Sequence, residues 1–204
     1  MKSKLAALSA LATVVMLGIG GCGVMGKADA PVTLRIAPVF APGGRVDSRS
    51  VAVAAVDAVG EAAKARYAYV DPARPGEINQ AKSLFWEEPP PRAVERAIVA
   101  GLRTRFATVT GPELAMPADI RVLTVLDRFE EVSGEPGSAV IAFEATVIEH
   151  GKVARAGKWC ASAPFSGPGP SERAHAFEAA LVAATTAFAQ DLATGAPSSS
   201  ADPC

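Results

Sequence analysis

Three runs decide the fold: Asp119-Ile120-Arg121-Val122-Leu123-Thr124-Val125-Leu126-Asp127-Arg128-Phe129, then Ala139-Val140-Ile141-Ala142-Phe143-Glu144-Ala145-Thr146-Val147-Ile148-Glu149, then Val153-Ala154-Arg155-Ala156-Gly157-Lys158-Trp159-Cys160-Ala161-Ser162-Ala163. The first is rich in β-branched residues and Leu. The second alternates, with Ile141, Phe143, Ala145 and Val147 on one side of the pleat. The third carries Val153 and Trp159 on a common face. Apolar residues at every second position are the mark of a strand buried on one side. His150-Gly151 makes a short turn between the second and third runs, and Ser133-Gly134-Glu135-Pro136-Gly137 connects the first two. A three-stranded antiparallel meander is expected over 119–163.

On the C-terminal side, Ser166-Gly167-Pro168-Gly169-Pro170 breaks the pattern and the apolar period changes. Phe177, Leu181, Ala184, Phe188 and Leu192 form one helical stripe, which predicts a helix over 171–193 with Ser171 as its N-cap. A polar tail, 194–204, follows. On the N-terminal side, Val94, Ala97, Ile98, Gly101, Leu102 and Phe106 recur at three- and four-residue steps, with Arg92, Glu95, Arg96, Arg103 and Arg105 between them. Pro89-Pro90-Pro91 suits a helix start, so a second helix is expected over 91–106. Upstream, Tyr67, Tyr69, Phe85 and Trp86 crowd a stretch that Pro72, Pro75 and Gly76 break into pieces. Asp57 to Arg66 is Ala-rich; Gly60 interrupts it, so it reads as an irregular connection, with a helix as the alternative. Ser50–Val56 and Val32–Phe40 read as strands, the latter with Val32, Leu34, Ile36 and Phe40 on one face. The expected class is α+β: a mostly antiparallel sheet of about five strands with two main helices packed on it, in the order ββαβββα.

The chain has 204 residues, with 20 Lys and Arg against 21 Asp and Glu. Half of it is hydrophobic but only 6% is aromatic, so the core must be built from small aliphatic side chains. A net charge of −1 excludes a bulk basic surface for nucleic acid. Two His and three Cys are little material for a metal site or a His-based catalytic centre, and neither a metal nor a cofactor is expected.

The first segment is set apart. Lys2 and Lys4 precede an apolar run from Leu5 to Ile19, shorter than the ~18–20 residues a membrane-spanning helix needs. Ile19-Gly20-Gly21-Cys22 resembles the lipobox of bacterial lipoproteins. Small residues let the extended chain enter a peptidase, and the Cys22 thiol accepts a diacylglyceryl group before cleavage. Several acyl chains, palmitate among them, would then anchor Cys22 stably. An ordinary secretory signal with an incidental Cys is the alternative. Gly18, Gly20 and Gly23 also satisfy G-x-G-x-x-G, but no strand–turn–helix unit surrounds them, so a dinucleotide site is rejected. The expected division is a signal peptide 1–21, a lipid anchor and tether 22–31, a single domain 32–193 and the tail 194–204. By similarity to an enterobacterial sorting rule, Gly23 after the lipid Cys favours the outer membrane, with the inner membrane as the alternative.

The order of short motifs resembles a known family. After the lipobox come a strand ending near Val56, Arg66-Tyr67-Ala68-Tyr69, Pro75-Gly76-Glu77-Ile78 and Phe85-Trp86-Glu87-Glu88-Pro89-Pro90. Ala118-Asp119, Leu126-Asp127-Arg128-Phe129-Glu130, a hairpin and a closing helix complete it. The sequence is similar to the ABC-type transport auxiliary lipoproteins, the paraquat-inducible protein C group, over roughly 32–193. Members typically show Trp-Ala-Glu-Pro where this chain has Glu87 after Trp86. The resemblance implies a non-enzymatic, periplasm-facing outer-membrane lipoprotein. Its implied partners are an ABC transporter's permease and ATPase together with a mammalian-cell-entry (MCE) domain protein. The implied cargo is lipid, phospholipid included, moved between inner and outer membranes, and a homo-oligomeric ring is a further implication. A structural or assembly lipoprotein without a lipid path is the alternative; a periplasmic hydrolase is a third.

The residues themselves offer little chemistry. His150 falls at a turn and His175 near a helix start. Glu87-Glu88 and Glu130-Glu131 are adjacent, so their side chains point apart and read as solvated faces rather than acid/base pairs. No G-x-S-x-G, phosphate loop or metal-ligand spacing occurs, and no catalytic residue is assigned. Trp86, just before a Pro-started helix, is expected to pack across that helix start. The other reading makes Trp86, with Tyr67 and Tyr69, a contact for partner or lipid. With Cys22 consumed by lipid, Cys160 and Cys204 remain as an even pair in an oxidising compartment. A bridge between them would close a loop of about 44 residues, worth roughly 4 kcal/mol by loop entropy; two unpaired thiols are the alternative.

Overall fold

In the computed structural model the described residues are 30–44, 46–114, 116–167 and 169–195. The elements run β1 (Val32–Leu34), β2 (Asp47–Val53), β3 (Asp57–Ala58), β4 (Arg66–Val70), β5 (Ile78–Trp86), α1 (Pro90–Arg103), β6 (Phe106–Thr110), β7 (Ile120–Val132), β8 (Gly137–Glu149), β9 (Lys152–Phe165) and α2 (Pro170–Thr194). The expected signal peptide, most of the tether and most of the tail lie outside the described residues.

The meander is present as β7–β8–β9, antiparallel throughout. The rest of the sheet corrects the expectation. It has nine strands, not about five, and it is mixed rather than mostly antiparallel. One edge of β7 is shared by β2, β3 and β4, all parallel to it. Outside these lie β6, parallel to β2, then β5, antiparallel to β4, and β1, parallel to β5. The order is therefore five strands, a helix, four strands and a helix, not ββαβββα. β4 and β5 escape the sequence reading because Pro72, Pro75 and Gly76 occupy the turn between them rather than breaking strands. β6 begins at Phe106, two residues past the α1 C-cap Thr104, where an apolar residue still fits the helical period. β1 stops at Leu34, and β2 covers Asp47–Val53 rather than 50–56. The stretch from Asp57 is a two-residue strand and one 3-10 turn, Gly60–Ala63, consistent with an irregular connection.

Both helices have a proline in their first turn, whose missing N–H is free in any helix start. Gly169, not Ser171, is the N-cap of α2, and it makes no side-chain cap; Pro170 has taken the first helical position. All five expected stripe residues of α2 are buried, as are Val94, Ala97, Ile98 and Leu102 of α1. They pack against Ile120, Val122, Leu126, Phe129, Ile141, Phe143 and Val147 on one face of the meander. Each such large apolar side chain contributes on the order of 1.5–3 kcal/mol by leaving water. The helices approach each other at Gly101, where a Cβ would lie 3.3 Å from Phe40 Cε1 and 3.5 Å from Thr185 Cβ. A larger residue there would push the two helices apart.

Candidate functional site

Helix α2 carries one aromatic cluster near each end. Near its N-terminus Phe177 meets Trp86, Phe129 and Tyr67, with centroid distances of 4.8, 4.9 and 5.7 Å. Trp86 also touches Tyr67 at 5.1 Å and Phe129 at 5.2 Å. Near its C-terminus Phe188 meets Trp159 at 4.8 Å and Phe143 at 5.9 Å. The two indoles differ in one respect. Trp159 Nε1 donates to Asp191 Oδ2 over 2.9 Å. Trp86 Nε1 is buried and has no hydrogen-bond acceptor among the described residues.

Trp86 is the last residue of β5, held by its backbone N–H to the Ala65 carbonyl at 2.7 Å. Its side chain is 5% exposed and spans the start of α1. There it lines a narrow cavity with Leu34, Ile36, Pro90, Ala93 and Phe129, with room for about one water. Two ion pairs rim this cavity. Arg35 grips Glu87 through two nitrogens, at 2.6 and 2.7 Å, and Glu88 pairs with Arg96. The Arg35 hydrogen bond and charge hold the exposed Glu87 carboxyl below its ordinary range. Beyond the rim an open groove continues along Ala37, Pro38, Val39 and Ala100. Val39 is 85% exposed.

Tyr67 is 1% exposed. Its hydroxyl donates to Glu131 Oε2 at 2.7 Å, and Arg173 Nε donates to the same oxygen at 2.9 Å. Ser133 Oγ donates to the other oxygen of Glu131 at 3.2 Å. Burial, then the Glu131 carboxylate, pushes the Tyr67 phenol well above its ordinary range, so it remains a donor. Tyr69 is half-buried and lies in register with Asn79 and Glu131. Glu130 is bound by Arg128 at 2.8 Å. Both carboxylates of the Glu130-Glu131 pair are buried, which corrects the solvated-face reading. Each is claimed by its own arginine, so the arrangement locks β4, β7 and α2 together and offers no free acid or base. No sequence signal joins Tyr67 to Glu131 and Arg173, because only the tertiary fold brings these positions together.

His150 sits in the hairpin turn with φ 54, and His175 is exposed on α2. Among the described residues no group of His, Cys, Asp and Glu could hold a metal. Among the same residues no helix is long and apolar enough to cross a membrane. Cys22 and Cys204 lie outside the described residues; Cys160, half-buried on β9, is disulfide-bonded.

A family model for the ABC-type transport auxiliary lipoprotein component matches residues 33–193. No curated protein matches the chain. The crystal structure of protein XCC0632 from Xanthomonas campestris superposes with a TM-score of 0.71 at 21% identity, covering 80% of this chain and 96% of that one. An uncharacterised protein superposes with a TM-score of 0.60 at 13% identity, covering 80% of this chain and 99% of the other. These likenesses are of fold.

Proposed function

This chain belongs to the ABC-type transport auxiliary lipoprotein components, and on that premise we propose that it is the lipid-anchored, periplasm-facing auxiliary subunit of an ABC transporter. In this reading the transporter's permease and ATPase work with an MCE-domain protein. The assembly moves phospholipid or another lipid between inner and outer membranes. Cys22 holds the single domain 32–193 at the outer membrane through the tether 22–31, and copies of the chain assemble side by side. The match from β1 to α2, downstream of a lipobox, is the observation that carries the proposal.

A non-enzymatic role follows from the family; Glu130 and Glu131 are each held by an arginine, Arg128 and Arg173, with Glu131 and Arg173 lining an open cleft beside Glu135 and Phe165. The cavity at Trp86 is the best candidate for a docking contact. It offers a buried donor without an acceptor, apolar walls and two exposed ion pairs at its mouth. A partner carbonyl entering there would satisfy the indole N–H.

The test is purification of the tagged, full-length protein from membranes in mild detergent. The expected result is co-purification of an ABC permease, an MCE-domain protein and bound lipid, lost when Cys22→Ser leaves the precursor unprocessed or releases the protein from the membrane. Recovery of other envelope proteins with no transporter and no lipid would favour a structural or assembly role instead.

A further inference from the structure

Between β1 and β2 the chain leaves the sheet. Residues 35–44 form no helix or strand. Ala37, Pro38 and Val39 line a groove with Arg96 and Ala100 of α1, and Ala37 and Val39 line a second with Ala179 and Val182 of α2. The segment therefore lies as a strap along the junction of the two helices. Two apolar side chains seat it. Ile36 is buried and walls the cavity at Trp86. Phe40 is half-buried and packs against the core, with its ring at Gly101, where α2 also approaches through Thr185. Further on, Gly43 rests on the C-cap of α1, so near that a Cβ would overlap the Thr104 carbonyl.

Polar ties are few. Among the described residues, the hydrogen bonds of 35–44 are those of Arg35 to Glu87 and of the Ala37 N–H to Glu178 Oε1, the latter at 2.9 Å. The Arg35–Glu87 pair is exposed to water on both sides, a class of contact that adds little stability. The sheet and helices beneath have full backbone ladders and a buried core. A segment with few backbone hydrogen bonds, fastened mainly by two side chains, opens at lower free energy than such a core.

We propose that residues 35–44 are a lid, which lifts from α1 and α2 while the rest of the domain stays folded, withdraws Ile36 and Phe40 and uncovers the Trp86 indole. The lid controls access to the cavity that the functional reading takes as a docking contact, and its gating role rests on that reading. Closed, the cavity has room for about one water, too little for a peptide group. Withdrawal of Ile36 adds the space of a branched aliphatic side chain beside an N–H that has no acceptor among the described residues. A partner that binds only the open form has its affinity set in part by how often the lid is open.

The experiment is hydrogen exchange of the two indole N–H groups, followed by NMR on the full-length protein in detergent micelles, with the Trp159 signal identified by its loss in Trp159→Phe. Trp159 Nε1, bonded to Asp191, reports opening of the whole domain; Trp86 Nε1 reports the lid. Phe40→Ala should speed exchange at Trp86 about tenfold, the effect of losing roughly half a buried ring. Glu87→Gln should speed it about twofold to fivefold, the range of an exposed ion pair, and decides the matter if Phe40→Ala does not fold. Exchange at Trp159 should not change in either variant. A rise at both indoles in step means that the strap leaves only when the domain unfolds. No response at Trp86 means that solvent reaches it without the strap moving. Either result overturns the lid. In the membrane purification Phe40→Ala should retain more of the transporter through washing than the unaltered protein; equal retention overturns the gating. Recovery of no transporter by either protein overturns the docking reading, and the exchange rates still decide the lid.

Discussion

The two tryptophans sit against the same helix in contrasting states. Trp159 is finished: ring on ring with Phe143 and Phe188, and its N–H delivered to Asp191 from α2 itself. Trp86 is equally buried among rings, yet its N–H meets no acceptor among the described residues and a cavity lies at its side. An unsatisfied buried donor costs about 1–3 kcal/mol. Packing alone does not separate a structural aromatic from a functional one. The polar atom at its tip does.

The largest effect should come from the side chain that builds the Trp86 end. Phe177→Ala removes contacts with three rings and should lower stability by about 3–5 kcal/mol in chemical denaturation, more than Phe188→Ala, which touches two. Equal losses would erase the asymmetry between the ends. Next, Glu131→Gln weakens the buried contacts of Tyr67 and Arg173 and should cost about 2–4 kcal/mol. A double mutant with Tyr67→Phe should cost less than the sum of the two single changes; strict additivity would show that the hydroxyl and carboxylate do not act together.

The comparison itself is sharpened by matched changes. Trp159→Phe and Trp86→Phe delete similar ring area, but only the first strips Asp191 of its donor, so it should cost about 1–2 kcal/mol more. A Trp86→Phe that is the more damaging would mean its N–H already has a partner. The smallest effect concerns Glu95, buried on α1 beside Arg92 at 2.8 Å. Loss of hydration pushes its carboxyl above the ordinary range, with Arg92 and the Val56 backbone opposing. Folding therefore favours the protonated acid. That contribution is present at low pH and is lost as pH rises through the folded value. Glu95→Gln should be the more stable protein at neutral pH by under about 1 kcal/mol, with the gap closing in acid. Thermal melts across pH will read it; a gap that widens in acid would reverse the sign.

The meander and both helices were legible in the sequence because each is specified by its own period: two in Ile141–Val147, three to four in Phe177–Leu192. Strands β4 and β5 were not, because Pro72, Pro75 and Gly76 of the turn between them look like breaks in the pattern, nor was β6, because Phe106 still fits the period of α1. The register of the short motif Arg66-Tyr67-Ala68-Tyr69 is set by Glu131 and Val132, over sixty positions away. Tyr67 and Trp86 stand out in the sequence by residue type; what each does depends on Glu131, Arg173 and the missing acceptor, which no spacing reveals.

The sharing of one edge of β7 by β2, β3 and β4 also bears on when the protein can fold. A chain that is synthesised and emerges from its N-terminus presents those three strands before their common neighbour exists. Their pairing waits for residues 120–132, and the helix that seals the core comes later still. Long-range parallel pairing of this kind is slow to form. The order of the elements along the chain thus leaves β2, β3 and β4 without their common neighbour until residue 132 has been made, and the core unsealed until α2 follows.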